Sequence, residues 1–187
     1  MSVDTKKEGE GVKIPESALH DAIANAMSNT MKYDEYYIKV LLQEGANPNT
    51  IQGGLTPLTC ATMFGHKELV LLLLQYGADP NLQDDQIRDG MTPLHWAGPW
   101  GRGEITSLLL QHGADPNAPM KDGWTPLHCA TLACNDNVVQ RLIYNNNGSG
   151  VDVTCLNDEC NSAFSIARGK GDVRRDICRL LMRVRLQ

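Results

Sequence analysis

The chain contains an internal repeat, and this repeat limits its possible folds more than any other feature. The sequence Thr-Pro-Leu occurs three times, beginning at Thr56, Thr92 and Thr125. A second sequence, Gly-Ala-Asn/Asp-Pro-Asn, also occurs three times and begins at residues 45, 77 and 113. Self-similarity at a period of about 33 residues indicates stacked units, each of which buries its apolar face against its neighbours.

Each unit is predicted to form two short helices joined by a tight turn. Threonine before proline suits a helix start, because the hydroxyl can cap exposed N–H groups and proline has no N–H to leave unpaired. Leu58 and Ala61 are three residues apart and therefore share one face of the first helix. Leu69 and Leu73 give the second helix its apolar face, and Gly77 can end that helix in the left-handed conformation.

These sequences resemble the ankyrin repeat, whose signature includes Thr-Pro-Leu-His followed by alanine and, later, a Gly-Ala-Asp-x-Asn turn. Three copies in phase cover roughly residues 50–147, and weaker copies flank them. The resemblance implies an all-α solenoid of helix-turn-helix units with protruding β-hairpin loops. We predict a flexible polar leader at residues 1–14 and a single domain at 15–187, with repeats at approximately 15–49, 50–82, 83–118, 119–150 and 151–187.

Three departures from the pattern carry predictions of their own. The segment between Asn81 and Thr92 is three residues longer than its counterpart after Asn117, so one hairpin should project further. Pro99 lies within the first helix of repeat three, where its missing N–H predicts a short or kinked helix. Repeat four ends in Asn-Asn-Asn-Gly-Ser-Gly and lacks Gly-Ala-Asp-Pro-Asn, which predicts a loose, lengthened link to repeat five.

The charge of the chain is unevenly distributed. The formal net charge is −5 at pH 7. From Arg168 onward there are 7 basic and 2 acidic residues, a net charge of +5, so the preceding residues carry 10 basic and 20 acidic residues and a net charge of −10. An acidic body repels a phosphate backbone. We therefore expect no nucleic-acid partner.

The sequence also bears on compartment. Its longest uninterrupted apolar segment, residues 69–74, has six residues, whereas a membrane-spanning helix needs about 20. The first eleven residues are polar and charged, and no apolar region of a secretory signal is visible. We expect a protein of the cytoplasm, with the nucleus as a further compartment, that is monomeric on its own and has no membrane partner.

The six cysteines do not form a pattern typical of a metal site. Cys155 and Cys160 are separated by four residues, and no further Cys/His pair with suitable spacing follows them. We therefore predict reduced thiols, no bound metal and no cofactor.

A catalytic pair was considered at His128 and Cys129, which could act as base and nucleophile. However, His95 and His128 occupy the same position of successive repeats, which is typical of a structural role and not of a unique active site. The resemblance implies that these histidines brace neighbouring loops through hydrogen bonds. Cys60 and Cys129 are likewise equivalent, and we interpret them as small apolar fillers. The chain has no phosphate-binding glycine loop and no hydrolase motif, so we predict that it is not an enzyme.

The resemblance implies a binding surface formed by the hairpin tips and the ends of the first helices. Many of the residues carried to that concave face are apolar, which favours a protein partner, although the same residues could instead pack between repeats. The predicted contact residues are Gln52, Gly53, Leu55, Met63 and Phe64 in repeat two, Arg88, Asp89, Met91, Pro99 and Trp100 in repeat three, and Lys121, Asp122, Trp124, Leu132 and Ala133 in repeat four.

The basic C-terminal segment forms an amphipathic helix in this interpretation. Its apolar face consists of Val173, Ile177, Leu180, Leu181 and Val184. Such a helix could bind an anionic membrane or an acidic partner. The simpler interpretation, which we favour, is the second helix of the last repeat with a charged face toward solvent.

Together these features predict a non-catalytic protein–protein interaction module that binds its partner through the concave face, as a stoichiometric regulator, inhibitor or adaptor. The alternative is a constitutive structural or assembly subunit of a larger complex. The turn residues Asn81 and Asn117 also resemble asparagines that are hydroxylated in some ankyrin proteins.

Overall fold

The structure is a computed structural model, and it describes residues 15–28, 35–84, 89–144, 150–169 and 175–185. The predicted leader at 1–14 lies outside these residues. Ten α-helices occur in the described part of the chain: α1 (Ala18–Ser28), α2 (Glu35–Gln43), α3 (Pro57–Phe64), α4 (Lys67–Gln75), α5 (Pro93–Ala97), α6 (Gly103–Gln111), α7 (Pro126–Leu132), α8 (Asp136–Ile143), α9 (Ala163–Arg168) and α10 (Arg175–Arg185).

The helices form two layers. The first helices of the repeats, α1, α3, α5, α7 and α9, pack on one another in sequence order. The second helices α4, α6, α8 and α10 do the same, and each also packs against the first helix of its own repeat. This arrangement confirms the prediction of an all-α repeat solenoid.

The start of α3 follows from its sequence as predicted, and a glycine determines where the helix ends. Thr56 Oγ1 accepts a hydrogen bond from the Thr59 N–H at 3.0 Å, and Pro57 takes the first helical position. Leu58 and Ala61 are both buried. Gly65 ends the helix with φ 81°, a conformation in which a Cβ atom would be strained.

One continuous apolar core runs through the stack, from Leu19 in α1 to Leu181 in α10. Each repeat contributes the leucine or phenylalanine that follows its Thr-Pro or equivalent pair, at positions 19, 58, 94, 127 and 164. Burial of one such side chain contributes about 1.5–3 kcal/mol. A single repeat holds too few of these residues to fold alone, so neighbouring repeats stabilise one another.

The expected short helix in repeat three is confirmed. Helix α5 has five residues and ends at Ala97, so Pro99 lies beyond its last turn. The chain that follows reverses direction through Gly101, whose φ is 65°. Arg102 then donates from Nε and Nη2 to the Met63 carbonyl, at 3.1 and 2.8 Å, and so joins repeat three to repeat two.

The hairpins are shorter than the resemblance implies. No described residue lies in a β-strand; the turn before α3 is closed by an isolated bridge between Gln52 and Leu55. Gly53 and Gly54, with φ 60° and 80°, reverse the chain within two residues and leave no length for a ladder. We call the turn ahead of each first helix a finger. The finger of repeat three includes residues 85–88, which lie outside the described part, so its predicted extra projection is not described.

A ladder of asparagine side chains links the ends of successive repeats. The Asn49 side-chain amide donates to the Gly77 carbonyl at 3.0 Å, and its Oδ1 accepts from the Asp79 N–H at 2.8 Å. Asn81 makes the same two bonds to the next repeat. Each Gly-Ala-Asn/Asp-Pro-Asn turn therefore holds the turn that follows it.

The ladder continues beyond the last recognisable copy of this turn. Asn117 donates to the Gly150 carbonyl at 3.0 Å and accepts from the Asp152 N–H at 2.7 Å. Asp152 in turn accepts from the Thr154 N–H. Gly150-Val-Asp-Val-Thr154 therefore forms this turn, although repeat four lacks the sequence Gly-Ala-Asp-Pro-Asn. The predicted loose link falls on 145–149, outside the described residues.

Candidate functional site

His95 joins repeat three to repeat four. Its Nε2 lies 3.1 Å from the Trp124 carbonyl oxygen, so this nitrogen carries the proton and donates. Its Nδ1 accepts from the Thr92 N–H at 3.2 Å and from the Thr92 hydroxyl at 2.8 Å. The ring thus holds the start of its own helix and the finger of the next repeat.

His128 and His20 make equivalent bonds in other repeats. His128 Nε2 donates to the Asn161 carbonyl at 3.0 Å, and His20 Nε2 lies 2.9 Å from the Leu55 carbonyl. These contacts are the bracing bonds that the resemblance implies. This role of His20 was not predicted from the sequence, although Ala-Leu-His after Ser17 places it at the position that His95 and His128 occupy in their repeats. Thr59 occupies it in repeat two, where its hydroxyl bonds to that of Thr56 at 2.9 Å.

The environments of these side chains do not favour a nucleophile–base pair. Burial lowers the pKa of His95 to about 4 and also lowers the pKa of His128, so both rings are neutral at pH 7. Burial raises the pKa of the Cys129 thiol to about 12. Both ring nitrogens of His128 already have partners other than that thiol. Geometry and protonation therefore support the structural interpretation of His128 and Cys129.

The apolar residues predicted at the ends of the first helices are open to solvent. Phe64 and Trp100 are each 51 % exposed and Leu132 is 44 % exposed, although all three are large apolar side chains. Pro99 is exposed beside Trp100, whereas Met63 is partly buried. Phe64 and Trp100 are therefore not enclosed between repeats, although each side chain is about half covered by its neighbours.

The residue before each helix threonine is more enclosed. Leu55, Met91 and Trp124 are all partly buried. The Trp124 ring meets the His128 ring edge to face, with a centroid separation of 5.9 Å. Trp124 therefore packs against His128 and exposes only part of its side chain to solvent. It is a weaker candidate for contact with a partner than Trp100.

The predicted contact residues of the fingers lie at exposed turns. Asp89 and Asp122 have φ 65° and 58°, and both are exposed, as is Gln52. The Lys121 N–H donates to the Asp89 carbonyl at 2.9 Å, and Lys121 Nζ lies 3.5 Å from the Asp89 carboxylate. Arg88, the remaining finger residue of the prediction, lies outside the described residues.

The contact that holds the finger of repeat three was not predicted from the repeat pattern. The Asp84 carboxylate is 5 % exposed and accepts from the Met91 N–H at 2.6 Å and from Trp96 Nε1 at 3.0 Å. Asp84 therefore ties the base of this finger to α5. The only signal was that Trp96 stands where Cys60 and Cys129 stand in neighbouring repeats.

A groove on the concave face lies between α1, α3 and the finger of repeat two. Its volume is about 510 Å³. We call it the α1–α3 groove; its lining residues are His20, Asp21, Ala24, Gln52, Gly53, Cys60 and Phe64. The contribution of α1 was not predicted, because repeat one matches the repeat pattern weakly.

Helix α10 packs against α8 and α9 through Ile177 and Leu181, which are buried. Arg175, Arg179 and Arg183 are exposed. This is the arrangement expected for the second helix of a repeat. Val173, the first residue of the predicted apolar face, lies outside the described residues.

Among the described residues, no group of three or more histidine, cysteine or acidic side chains is arranged to hold a metal ion. No helix in the described part of the chain is long and apolar enough to cross a bilayer.

Comparison with known proteins gives two matches. A family model for ankyrin repeats, in three copies, matches residues 4–84 and 82–157. The human protein named ankyrin repeat and MYND domain-containing protein 1 is 38 % identical over 81 residues. This alignment covers 43 % of the present chain but 8 % of the human protein. The similarity is therefore restricted to repeats and does not extend over the rest of that relative.

Proposed function

The chain belongs to the ankyrin-repeat family, and we propose that it is a non-catalytic module that binds another protein through the concave face formed by its fingers and first helices. Ankyrin repeats are generally protein–protein interaction modules. The finer proposal is a stoichiometric role, as regulator, inhibitor or adaptor, in which the bound partner is masked or positioned and not chemically changed.

The exposure of Phe64, Trp100 and Leu132 carries this proposal. The three residues belong to consecutive repeats: Phe64 and Leu132 end α3 and α7, and Trp100 lies in the turn that follows α5. Scattered exposed apolar residues are ordinary, but a row of large ones on one face is typical of an interaction site. Aromatic side chains at the centre of an interface contribute most of its binding free energy. A partner that covers this row would remove it from water.

A matched pair of double variants tests the proposal. Phe64→Ala with Trp100→Ala removes the exposed aromatics of the concave face, whereas Tyr36→Ala with Tyr144→Ala removes exposed aromatics of α2 and the end of α8. We expect affinity capture from the native host to lose about tenfold or more of the partner with the first pair and little with the second. Equal capture by both would contradict the proposal.

The same exposed row also supports a second candidate, a constitutive structural or assembly subunit. Such a subunit would keep these side chains covered throughout its life. Size-exclusion chromatography of the isolated chain distinguishes the two: a well-behaved monomer supports a reversible binder, whereas aggregation in the absence of a partner supports the subunit. We expect a monomer.

We propose the cytoplasm, with the nucleus as a further compartment. Cys129, Cys155, Cys160 and Cys178 are free thiols in the structure. Free thiols are typical of the reducing compartments of the cell. Mass spectrometry of the protein isolated under alkylating conditions should therefore find these four cysteines modified.

A further inference from the structure

We propose that the occupant of the concave face is an extended, basic segment of a partner protein, with one apolar side chain seated in the α1–α3 groove and basic side chains beside the fingers of repeats four and five. This inference rests on the proposed function and adds the chemistry of the partner to it.

The α1–α3 groove is suited to an apolar side chain. Ala24, Cys60 and Phe64 form its apolar lining, and His20 and Gln52 border it with polar groups. Its volume of about 510 Å³ falls within the range of sites that enclose organic groups. A large aliphatic or aromatic side chain could enter it and contact the exposed ring of Phe64.

The exposed apolar row continues from this groove along the stack. Phe64 is followed by Trp100 in repeat three and by Leu132 in repeat four, so each of these repeats has a large exposed apolar side chain near the end of its first helix. A linear row of this kind can be followed by an extended chain, which presents side chains at regular intervals along its length. This observation favours a segment over a compact docking domain.

The charges beside this row favour a basic segment. Asp122, Asp158 and Glu159 are exposed in the fingers of repeats four and five, and the Asp122 carbonyl accepts from the Asp158 N–H at 3.0 Å. These acidic residues therefore lie on adjacent, connected turns. Lys121 is the basic residue of the described fingers, and its Nζ is already beside the Asp89 carboxylate.

The remaining charge on the groove has the same sign. Asp21 lines the α1–α3 groove on the side of α1. An acidic segment, or a nucleic acid, would place like charges against Asp21 and the fingers, and that arrangement reduces both the rate and the strength of association. Lysine or arginine side chains would instead be attracted to Asp21 and to the acidic fingers of repeats four and five.

A displayed library of random peptides of about a dozen residues, selected against the intact chain, tests the inference without a known partner. We expect the enriched peptides to share an apolar anchor followed by at least two lysine or arginine residues. Enrichment of acidic or purely polar peptides, or no enrichment at all, would overturn the proposal.

Charge-neutralising variants then test where the selected peptide binds. Asp122→Asn, Asp158→Asn and Glu159→Gln together keep side-chain size, and asparagine tolerates the positive φ of position 122. We expect this triple variant to bind the peptide about tenfold more weakly at low salt and to lose most of the salt dependence. The control, Glu35→Gln with Glu68→Gln on second helices, should bind within about twofold of the parent.

A third variant tests the groove itself. Ala24→Glu should abolish binding of the anchor while thermal unfolding remains within a few degrees, since Ala24 is exposed. Peptide binding that is unaffected by both the groove and the finger variants would overturn the inference. If instead the native partner is captured through Phe64 and Trp100 but no peptide is enriched, the extended segment is wrong and the proposed function stands.

Discussion

The imidazole of His128 donates its Nε2–H to the backbone carbonyl of Asn161, 3.0 Å away, and thereby holds the finger of repeat five against the first helix of repeat four. His95 and His20 make the corresponding bonds to Trp124 and Leu55. The fingers of repeats two, four and five are therefore positioned by buried histidines and not by strand pairing.

Removal of one such histidine should be costly. His95→Ala leaves the Trp124 carbonyl and the Thr92 N–H without their partner and opens a cavity beside α5. Together these losses should lower the free energy of unfolding by about 3 kcal/mol. Urea denaturation measures this change. His112→Ala, at the exposed end of α6, is the control and should cost less than about 1 kcal/mol; equal losses would contradict the bracing role.

The stability of the protein should depend on pH through the same residue. The pKa of His95 is lowered from 6.5 to about 4 in the folded state, so the unfolded chain binds the proton first as the pH falls. The contribution of the neutral His95 ring to the free energy of unfolding is complete above pH 6.5 and is lost as the pH falls toward 4. This shift corresponds to a loss of about 3 kcal/mol, and burial of His128 acts in the same direction.

Denaturation midpoints measured from neutral to acidic pH check this expectation. His95→Thr is the matched variant, because threonine already occupies the equivalent position 59 in repeat two. It should be less stable at neutral pH but should lose much less stability on acidification. A parent protein whose stability is unchanged between pH 6.5 and 4 would contradict the assignment.

The asparagine ladder should couple the repeats. Asn81→Ala removes the bonds to the Gly113 carbonyl and the Asp115 N–H. Because these hydrogen bonds are exposed, water can partly replace them after the substitution. We therefore expect the free energy of unfolding to fall by about 1–2 kcal/mol and the unfolding transition to become broader. Gln75→Ala, on the exposed face of α4, should leave the transition unchanged. A sharp transition at the parental midpoint in Asn81→Ala would contradict the coupling.

One substitution should stabilise the protein. Cys134 has φ 61° at the position that Gly65 and Gly101 occupy in the two preceding repeats. A side chain in this left-handed conformation costs about 1 kcal/mol, so Cys134→Gly should raise the melting temperature by a few degrees. Cys155→Gly is the control, because position 155 does not have positive φ and glycine there should lower the melting temperature. A decrease in the melting temperature of both variants would contradict backbone strain at Cys134.

The parts of the structure that were predictable from sequence are those determined by local pattern. Thr-Pro-Leu specified where α3, α5 and α7 begin, and Pro99 correctly predicted the short α5. The turn at Gly150–Thr154 was not predicted because its sequence differs from Gly-Ala-Asp-Pro-Asn. Its hydrogen bonds need only the aspartate side chain and backbone groups, so the alanine, proline and asparagine of the other copies can be replaced.

Other features depend on contacts that periodicity does not encode. The bond between Asp84 and Trp96 crosses twelve residues and requires the tertiary position of the finger. The exposure of Phe64 was predicted only as one of two alternatives, because sequence alone does not distinguish an open row from one packed between repeats. The α1–α3 groove required the position of α1, whose repeat is the least regular of the matching copies.

Site-specific photocrosslinking in the native host tests the central claim most directly. Benzoylphenylalanine in place of Phe64 or Trp100 puts the reactive group on the exposed row. In place of Tyr36 or Tyr144 it lies in α2 or at the end of α8, at positions that are more exposed than Phe64 and Trp100. We predict that the first two positions give one common protein adduct and that the other two do not. Adducts confined to positions 36 and 144 would contradict binding through the concave face.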